Sequence, residues 1–301
     1  MRRKWALVPA WLAVALLVVS PVPVRGSPEQ MDLAATAARL DALHVRIAGN
    51  REELQASELL NYHRVEGGVA TCMRAAGMPY RIRPFLSHYD GFTDADLGFG
   101  SGRGSVFDSI TDRGRRAVRN ELAAARFARA GLHDPPPGPT RPAEVAARNR
   151  CTAAYQHRPY SDIDPPQGVY QLSGFRGLLD VVARDPAVIA AMRPYRACMR
   201  DRYGHDVTER TDFLFAPRIS YRDAPVEGRP PAPAWTRGVK QIEAAFDADV
   251  DCRLPAYRIA MTLLAPRLRV WERQHRTEID AVRAAWKHRV ARARDLPHTI
   301  P

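Results

Sequence analysis

The residues best placed to do chemistry are three carboxylates spaced four apart, Glu243, Asp247 and Asp251, with Asp249 between the last two. On a helix this spacing puts the three on one face as an acidic stripe. Carboxylate pairs serve glycoside hydrolysis as acid and base, but the second carboxyl must face the first across a cleft. One helical stripe does not supply that partner. We therefore interpret the stripe as a solvated face, or as one paired with nearby arginines.

A second candidate is the glycine-rich segment 98–104, in which glycine alternates with other residues. Glycine-rich loops can cradle phosphate through backbone N–H groups, but this segment matches neither phosphate-binding motif and follows no strand signal. Ser101 also lacks the flanking pattern of an esterase nucleophile. We therefore expect a flexible loop. Three preceding aspartates have the wrong spacing for a calcium loop and the residue type of helix caps: Asp90, Asp94 and Asp96.

The nine histidines are scattered through the chain. None stands in a zinc-protease motif or in metal-ligand spacing with a cysteine. A serine triad stays open in principle, because its members need not be adjacent in sequence, but nothing marks a nucleophile. The sequence therefore predicts no catalytic, cofactor-binding or metal-ligating residue, and no cofactor.

The cysteines carry the clearest pattern, because Cys-Met-Arg occurs at Cys72 and again at Cys198 among only four cysteines. The other two, Cys151 and Cys252, are each followed closely by Ala-Tyr. This alternating order predicts two diverged copies of one unit. Four cysteines allow three pairings, and the repeat favours one bond within each copy, Cys72–Cys151 and Cys198–Cys252. Zinc binding is the weaker alternative, since no pair has short metal-ligand spacing.

The N-terminus has the three parts of an export signal. Residues 2–4 are basic, residues 5–24 form an apolar run, and Val24-Arg25-Gly26 offers small residues at the cleavage positions. We expect cleavage after Gly26, a mature start at Ser27 and a secreted, extracytoplasmic protein. An uncleaved membrane anchor is the alternative. No later segment is apolar enough to span a membrane, and disulfides suit an exported chain.

Cleavage would also set the charge of the mature chain. The leader carries four of the 45 Lys and Arg residues, which leaves 41 against 33 Asp and Glu and a net charge of +8. Nearly all the basic residues are arginines. An arginine-lined site for an acidic polymer is one interpretation. We favour an ordinary solvated surface, because acidic residues are interleaved throughout, and we expect no nucleic-acid partner.

The elements that must hold these residues are helices separated by proline-rich joints. Apolar residues at helical spacing end at Gly77 in the first copy. Asp185-Pro186 opens the helix of the second, in which Pro194 predicts a kink. Further helices are expected at 31–48, 112–130, 141–156, 172–183, 235–253 and 257–295, with linkers at 135–139, 158–168 and 223–234. Residues 213–221 give the best strand signal.

We predict a mainly α-helical, disulfide-stapled protein with little or no sheet. Its expected parts are a signal peptide at 1–26, a first repeat at 27–157, a linker at 158–168, a second repeat at 169–256 and a C-terminal helix at 257–296.

In the C-terminal helix, apolar residues step by three or four from Leu264 to Val290. Such a stripe suits a partner-binding or membrane-surface helix, but packing against its own domain is the interpretation that we favour. Pro255 and Pro266 are expected to break this region into hinged pieces.

The whole pattern resembles an actinobacterial family of exported proteins and lipoproteins with no assigned function. The resemblance covers nearly the whole mature chain, through short motifs: Cys72-Met73 with Gly77, Cys151, Cys198-Met199 with Gly204, Ala248-Asp249 before Cys252, and the 257–295 helix. This chain lacks the lipoprotein cysteine of the family, so no lipid anchor is implied. The resemblance implies the architecture and export, and it carries no catalytic residues.

The sequence favours a non-catalytic secreted or cell-envelope interaction protein, whose partner would be an unknown envelope protein or an acidic polymer. A secreted hydrolase of wall polymers is the first alternative, and an arginine-rich binder of acidic wall polymers is the second. An enzyme should have a pocket where titratable groups converge. A polymer binder should have an uninterrupted arginine face, and an interaction protein an exposed apolar patch.

Overall fold

The computed structural model describes residues 28–100, 104–131, 141–155, 174–215 and 218–300. The expected signal peptide with its cleavage site, the linkers at 135–139 and 158–168 and residues 101–103 of the glycine-rich segment lie outside those residues. The described chain is helical and contains no strand, which confirms the predicted class. The helices are α1 Pro28–Ala48, α2 Arg51–Ala75, α3 Arg115–Arg129, α4 Pro142–Ala153, α5 Phe175–Ala183, α6 Pro186–Met192, α7 Tyr195–Tyr203, α8 Arg210–Phe215, α9 Pro233–Gln274 and α10 Arg276–Ala293, with 3₁₀ turns at Asp94–Leu97 and Tyr221–Asp223.

The corner between α1 and α2 is set by Gly49 and Asn50. Gly49 adopts a φ of 100°, and a Cβ there would lie 2.7 Å from the ring of Trp286, so only glycine fits. The Asn50 side chain accepts a hydrogen bond from the Glu53 N–H at 2.9 Å, and the Glu53 carboxylate accepts one from the Asn50 N–H, also at 2.9 Å. This reciprocal cap starts α2. Glu53 also pairs with Arg283 of α10, which fixes the corner against the C-terminal helix.

The core is built on α9 and α10. The apolar stripe expected in this region is buried, with Leu264, Leu268, Ile279 and Trp286 at 0 % exposure. Its largest cluster also takes in residues of α1, α5 and α6: Leu40, Leu43, Ile47, Leu179, Val182 and Val188. The C-terminal helical region therefore packs inside the molecule, as favoured from the sequence, and the two expected repeats share one core.

The disulfides pair the cysteines as predicted. Cys72 of α2 is bonded to Cys151 of α4, and Cys198 of α7 to Cys252 of α9, with Cα–Cα distances of 5.6 and 5.7 Å. Both Cys-Met-Arg helices end at a glycine with positive φ, 66° at Gly77 and 69° at Gly204.

Cys72 does not lie on the buried face of α2, because it is exposed. The buried residue of each motif is the methionine, with Met73 at 1 % and Met199 at 0 % exposure. Consecutive helical residues point about 100° apart. The methionine therefore enters the core while the cysteine stands at its edge, where the sulfur reaches the next helix.

The strand expected at residues 213–221 is also wrong. Phe213 belongs to α8, and Tyr221 begins a 3₁₀ turn, with residues 216–217 outside the described chain. A lone strand with no partner leaves its backbone groups unpaired, whereas a helical turn pairs them internally. Leu214 of α8 packs on Ile242 and Phe246 of α9.

The prolines do not break the C-terminal region where expected. Pro255 and Pro266 lie inside α9, which runs unbroken for 42 residues and passes through the expected boundary at 256/257. Both prolines are exposed, so the carbonyl groups that they leave without an N–H donor are open to water. The break falls instead at His275, whose ring stacks on Trp271 at 4.3 Å. Pro194, by contrast, separates α6 from α7 completely.

In the described part of the chain, no helix has both the length and the apolarity needed to cross a membrane.

Candidate functional site

A groove of about 550 Å³ lies between α1, α9 and the segment 107–111. Clefts beside α2 are smaller, at about 400 and 320 Å³. Nine of the groove's 14 lining residues are apolar: Leu33, Ala34, Ala37, Ala38, Leu40, Phe107, Ile110, Leu254 and Met261. Small-molecule sites have this size and character. We call it the α1–α9 groove.

The room in the groove comes from small side chains on α1. Leu40, Leu43 and Ile47 point from one face of α1 into the core. Ala34, Ala37 and Ala38 lie on the adjacent face, where alanine leaves space that a larger residue would fill. Leu40 belongs to both sets, so the packed face of α1 and its groove-lining face adjoin one another.

The wall opposite α1 is a loop, and Arg253 of α9 holds it in place. The Arg253 guanidinium is 1 % exposed and donates to the carbonyl oxygens of Val106 at 2.9 Å and Asp108 at 3.0 Å. Arg210 of α8 donates to the carbonyl oxygen of Ser105 at 2.8 Å. Arg253 therefore supplies donors to two carbonyl groups of this irregular segment, and Arg210 adds a second donor to the Ser105 carbonyl, which also accepts the Asp108 N–H at 3.1 Å.

The two arginines meet at the buried carboxylate of Asp249. Arg210 binds it with two hydrogen bonds, of 2.5 and 2.8 Å, and Arg253 with one of 3.2 Å. The third partner is the Tyr195 hydroxyl of α7, which donates a hydrogen bond of 2.7 Å to the same carboxylate. Burial alone would raise the pKa of Asp249, but Arg210 and Arg253 outweigh it and hold that pKa below its ordinary value. Asp108 adds a second carboxylate, 3.0 Å from Arg210.

The second disulfide ties this cluster together. Cys252 immediately precedes Arg253 on α9, and Cys198 follows Tyr195 by one turn on α7. The covalent bond and the Tyr195–Asp249 hydrogen bond therefore join the same two helices side by side. The Cys198–Cys252 bond is thus placed to steady the residues that hold the groove wall.

The glycine-rich segment packs against the same groove. Its Gly100 N–H donates to Asp41 of α1 at 3.2 Å, and the Gly100 carbonyl accepts the Ser109 N–H at 2.6 Å. A Cβ on Gly98 would lie 2.9 Å from the Asp41 carboxyl carbon, and one on Gly100 would lie 2.3 Å from the Ser109 nitrogen. The described glycines at 98 and 100 are therefore required for close packing.

Charged and polar groups in the groove are few. Burial raises the pKa of Asp41, although backbone N–H groups of Gly100 and Phe99 oppose the shift. Burial also raises the pKa of Tyr257 to about 12, so its phenol stays protonated. Arg258 is exposed at the edge. Among the residues that the structure describes, the groove therefore combines apolar walls with one cation that has no ion-pair partner, one carboxyl that accepts a backbone hydrogen bond, and hydroxyl groups.

The acidic stripe lies outside the groove, and two of its three carboxylates are paired with arginines. Asp247 lies 3.4 Å from Arg113, and Asp251 lies 2.7 Å from Arg202. Glu243 and Asp247 are exposed. The fourth carboxylate, Asp249, was not singled out from the sequence. Its helical position could have indicated its burial, since it falls on the face of the helix opposite Asp247 and one turn before the buried Arg253.

Two of the three aspartates near the glycine-rich segment, Asp94 and Asp96, act as caps as predicted, and Asp90 does not. Asp94 accepts the Arg51 N–H at the start of α2 at 3.1 Å, and Asp96 closes a capping box with Thr93. Asp90 accepts a hydrogen bond from Gln55 at 2.7 Å. Among the residues that the structure describes, no three metal-ligating side chains come together.

A second feature that the sequence did not reveal is Glu58 of α2. Its carboxyl accepts the Ser87 hydroxyl at 2.5 Å and the His88 N–H at 3.1 Å, and so fastens the segment after α2 to that helix. Burial raises the pKa of Glu58 to about 7. The His88 ring contacts Asn120 instead, at 3.3 Å. The contacts of Glu58 therefore hold the segment after α2 in place. They do not align Ser87 and His88 as a nucleophile and its base.

Comparison with known proteins gives no match to a family model, a curated protein or a solved structure.

Proposed function

We propose that this chain is an exported, non-catalytic binding protein of the cell envelope that takes an apolar ligand into the α1–α9 groove. The observation that supports this proposal most strongly is the groove itself, an apolar site whose wall is held by buried hydrogen bonds. Preformed walls favour binding, because the ligand does not have to order the protein. Two disulfides suit an oxidising, extracytoplasmic compartment.

A role in binding is supported by how the groove's polar groups are used. The Asp41 carboxyl already accepts backbone hydrogen bonds, and the Tyr257 phenol keeps its proton at ordinary pH. Both groups can orient a ligand by hydrogen bonding. Within the described part of the chain, neither is paired with a base or a nucleophile in the way that hydrolysis of a wall polymer requires.

A second candidate, binding of an acidic wall polymer, is favoured by the charge of the C-terminal helices. Residues 257–296 contain ten Lys and Arg against four Asp and Glu. Arg267, Arg269 and Arg273 are exposed on α9. Such binding would weaken steeply with added salt, whereas binding of an apolar ligand in the groove would not.

The proposal is tested with a neutral, apolar fluorescent probe, N-phenyl-1-naphthylamine. Ala34 is an exposed residue of the groove wall, so Ala34→Trp should fill the groove without disturbing the core. Ala284→Trp, on the exposed face of α10, is the matched control. We expect the native protein and the control to bind the probe and Ala34→Trp to lose at least tenfold in affinity. Equal binding by all three proteins, or by none, would rule out the groove.

A further inference from the structure

Arg258 is the one cation among the described residues that line the α1–α9 groove. It lies on α9 between Leu254 and Met261, which stand one turn to either side of it and line the groove with their apolar side chains. Arg258 is exposed, and it forms no ion pair with any residue that the structure describes. An unpaired guanidinium at the edge of an apolar groove is a ready partner for an anionic group.

The other charged residue of the groove does not cancel Arg258. Asp41 Oδ1 accepts the Gly100 N–H, so the carboxyl is engaged with the glycine-rich segment. Burial disfavours its charged form, which raises its pKa. Asp41 and Arg258 form no salt bridge with one another. Among the described residues that line the groove, Arg258 is therefore the cation that is available to pair with a ligand head.

From this geometry we infer that the ligand is an anionic amphiphile, with an alkyl chain in the α1–α9 groove and a carboxylate or phosphate head on Arg258. The inference rests on the proposed function and names the ligand class for that same site. Charge complementarity selects the head, and the apolar walls of α1 and α9 select the chain. The groove volume of about 550 Å³ falls in the size range of ligand sites, and it leaves room for a single alkyl chain.

The two parts of the ligand should contribute separately. Each methylene group moved from water into an apolar site raises affinity about fourfold. Decanoate should therefore bind about 16-fold more tightly than octanoate. A charge-assisted contact at a solvent-exposed edge should add about five- to tenfold over the neutral alcohol of the same length.

The test is calorimetric titration of residues 27–301 with decanoate, decyl phosphate, 1-decanol and decyltrimethylammonium, the three ionic compounds below their micelle concentrations and 1-decanol below its solubility limit. The two anions should bind more tightly than 1-decanol, and the cation most weakly. Arg258→Gln should reduce both anions to the affinity of 1-decanol and leave 1-decanol unchanged. Arg267→Gln, an exposed arginine of the same helix outside the groove, is the matched control and should change nothing.

The outcomes separate this inference from the proposed function. If 1-decanol binds as tightly as the anions, or if Arg258→Gln has no effect on them, the head-group inference fails while the groove remains a binding site. If none of the four compounds binds the native chain, both fail together. Tighter binding of decyl phosphate than of decanoate would identify a phosphate-bearing lipid head, and equal binding a requirement for negative charge alone.

Discussion

The guanidinium of Arg253 and the carbonyl oxygen of Val106 lie 2.9 Å apart, although 147 residues separate them in the sequence. This contact joins the buried charge cluster around Asp249 to the loop that walls the α1–α9 groove. A buried arginine costs desolvation energy, and here that cost is offset by hydrogen bonds to a carboxylate and to backbone carbonyls. The cluster therefore matters to the groove as well as to stability.

Replacing Arg253 should affect folding and binding together. Arg253→Met removes a buried cation and leaves the Val106 and Asp108 carbonyl groups without their donor. We expect a loss of about 3 kcal/mol in the free energy of unfolding, measured by urea denaturation, and weaker binding of the fluorescent probe. Arg267→Met, an exposed change on the same helix, should stay within about 0.5 kcal/mol of the native protein. Unchanged probe binding by a folded Arg253→Met variant would show that the loop does not depend on this residue.

The two disulfides should differ in their effect on the groove. They close sequence separations of 79 and 54 residues, so each double Cys→Ala variant should lose about 4 kcal/mol of stability. Only the Cys198/Cys252 variant should also lose affinity for the probe, because Cys252 adjoins Arg253 whereas α2 and α4 do not line the groove. The comparison is made by probe titration where both variants are still folded. An equal loss of affinity in both would contradict a local role for the second bond.

The glycine-rich segment should tolerate no side chain at Gly100. A Cβ there would lie 2.3 Å from the backbone nitrogen of Ser109, so Gly100→Ala forces the loop away from α1. We expect a loss of about 2 kcal/mol. Gly177, on α5, has open space around its Cβ position and serves as the control, since Gly177→Ala should stabilise the helix by up to about 1 kcal/mol. Thermal unfolding of the two variants measures the contrast, and equal stability would argue against close packing at Gly100.

Stability should depend on pH through Glu58. Its pKa is about 7 in the folded protein against an ordinary value of 4.5, so the folded state holds the proton more tightly. The resulting stabilisation is complete below about pH 4.5 and is lost as the pH rises through 7. Glu58→Gln, which mimics the protonated side chain, should flatten the curve by about 2 kcal/mol across this window. Glu52→Gln, at an exposed position on the same helix, should leave the curve unchanged. Matching curves for the native protein and Glu58→Gln would refute the assignment.

The sequence predicted the features that depend on local pattern or on the order of the cysteine motifs. The helical class, the cysteine pairing and the buried stripe of the C-terminal region all follow from spacing that can be read along the chain. The burial of Asp249 could have been predicted for the same reason. Its position two residues from Asp247 turns it to the opposite face of the helix, in phase with Arg253.

Other features depend on packing that the sequence does not display. Helix α9 continues through Pro255 and Pro266 because neighbouring helices hold it on one side and water faces the prolines on the other. The groove depends on a helix near residue 34, a loop near residue 107 and a helix near residue 258 meeting in space. No local sequence pattern predicts a cavity formed by three segments that lie so far apart in the sequence.

The most direct test of the groove as a binding site is a crystal structure of residues 27–301 with decanoate. We predict one chain of electron density between α1 and the loop at Ile110, with the carboxylate within about 4 Å of the Arg258 guanidinium. The loop at 107–111 should keep its hydrogen bonds to Arg253. Decanoate bound elsewhere on the molecule, or a groove that excludes it at saturating concentration, would contradict the account.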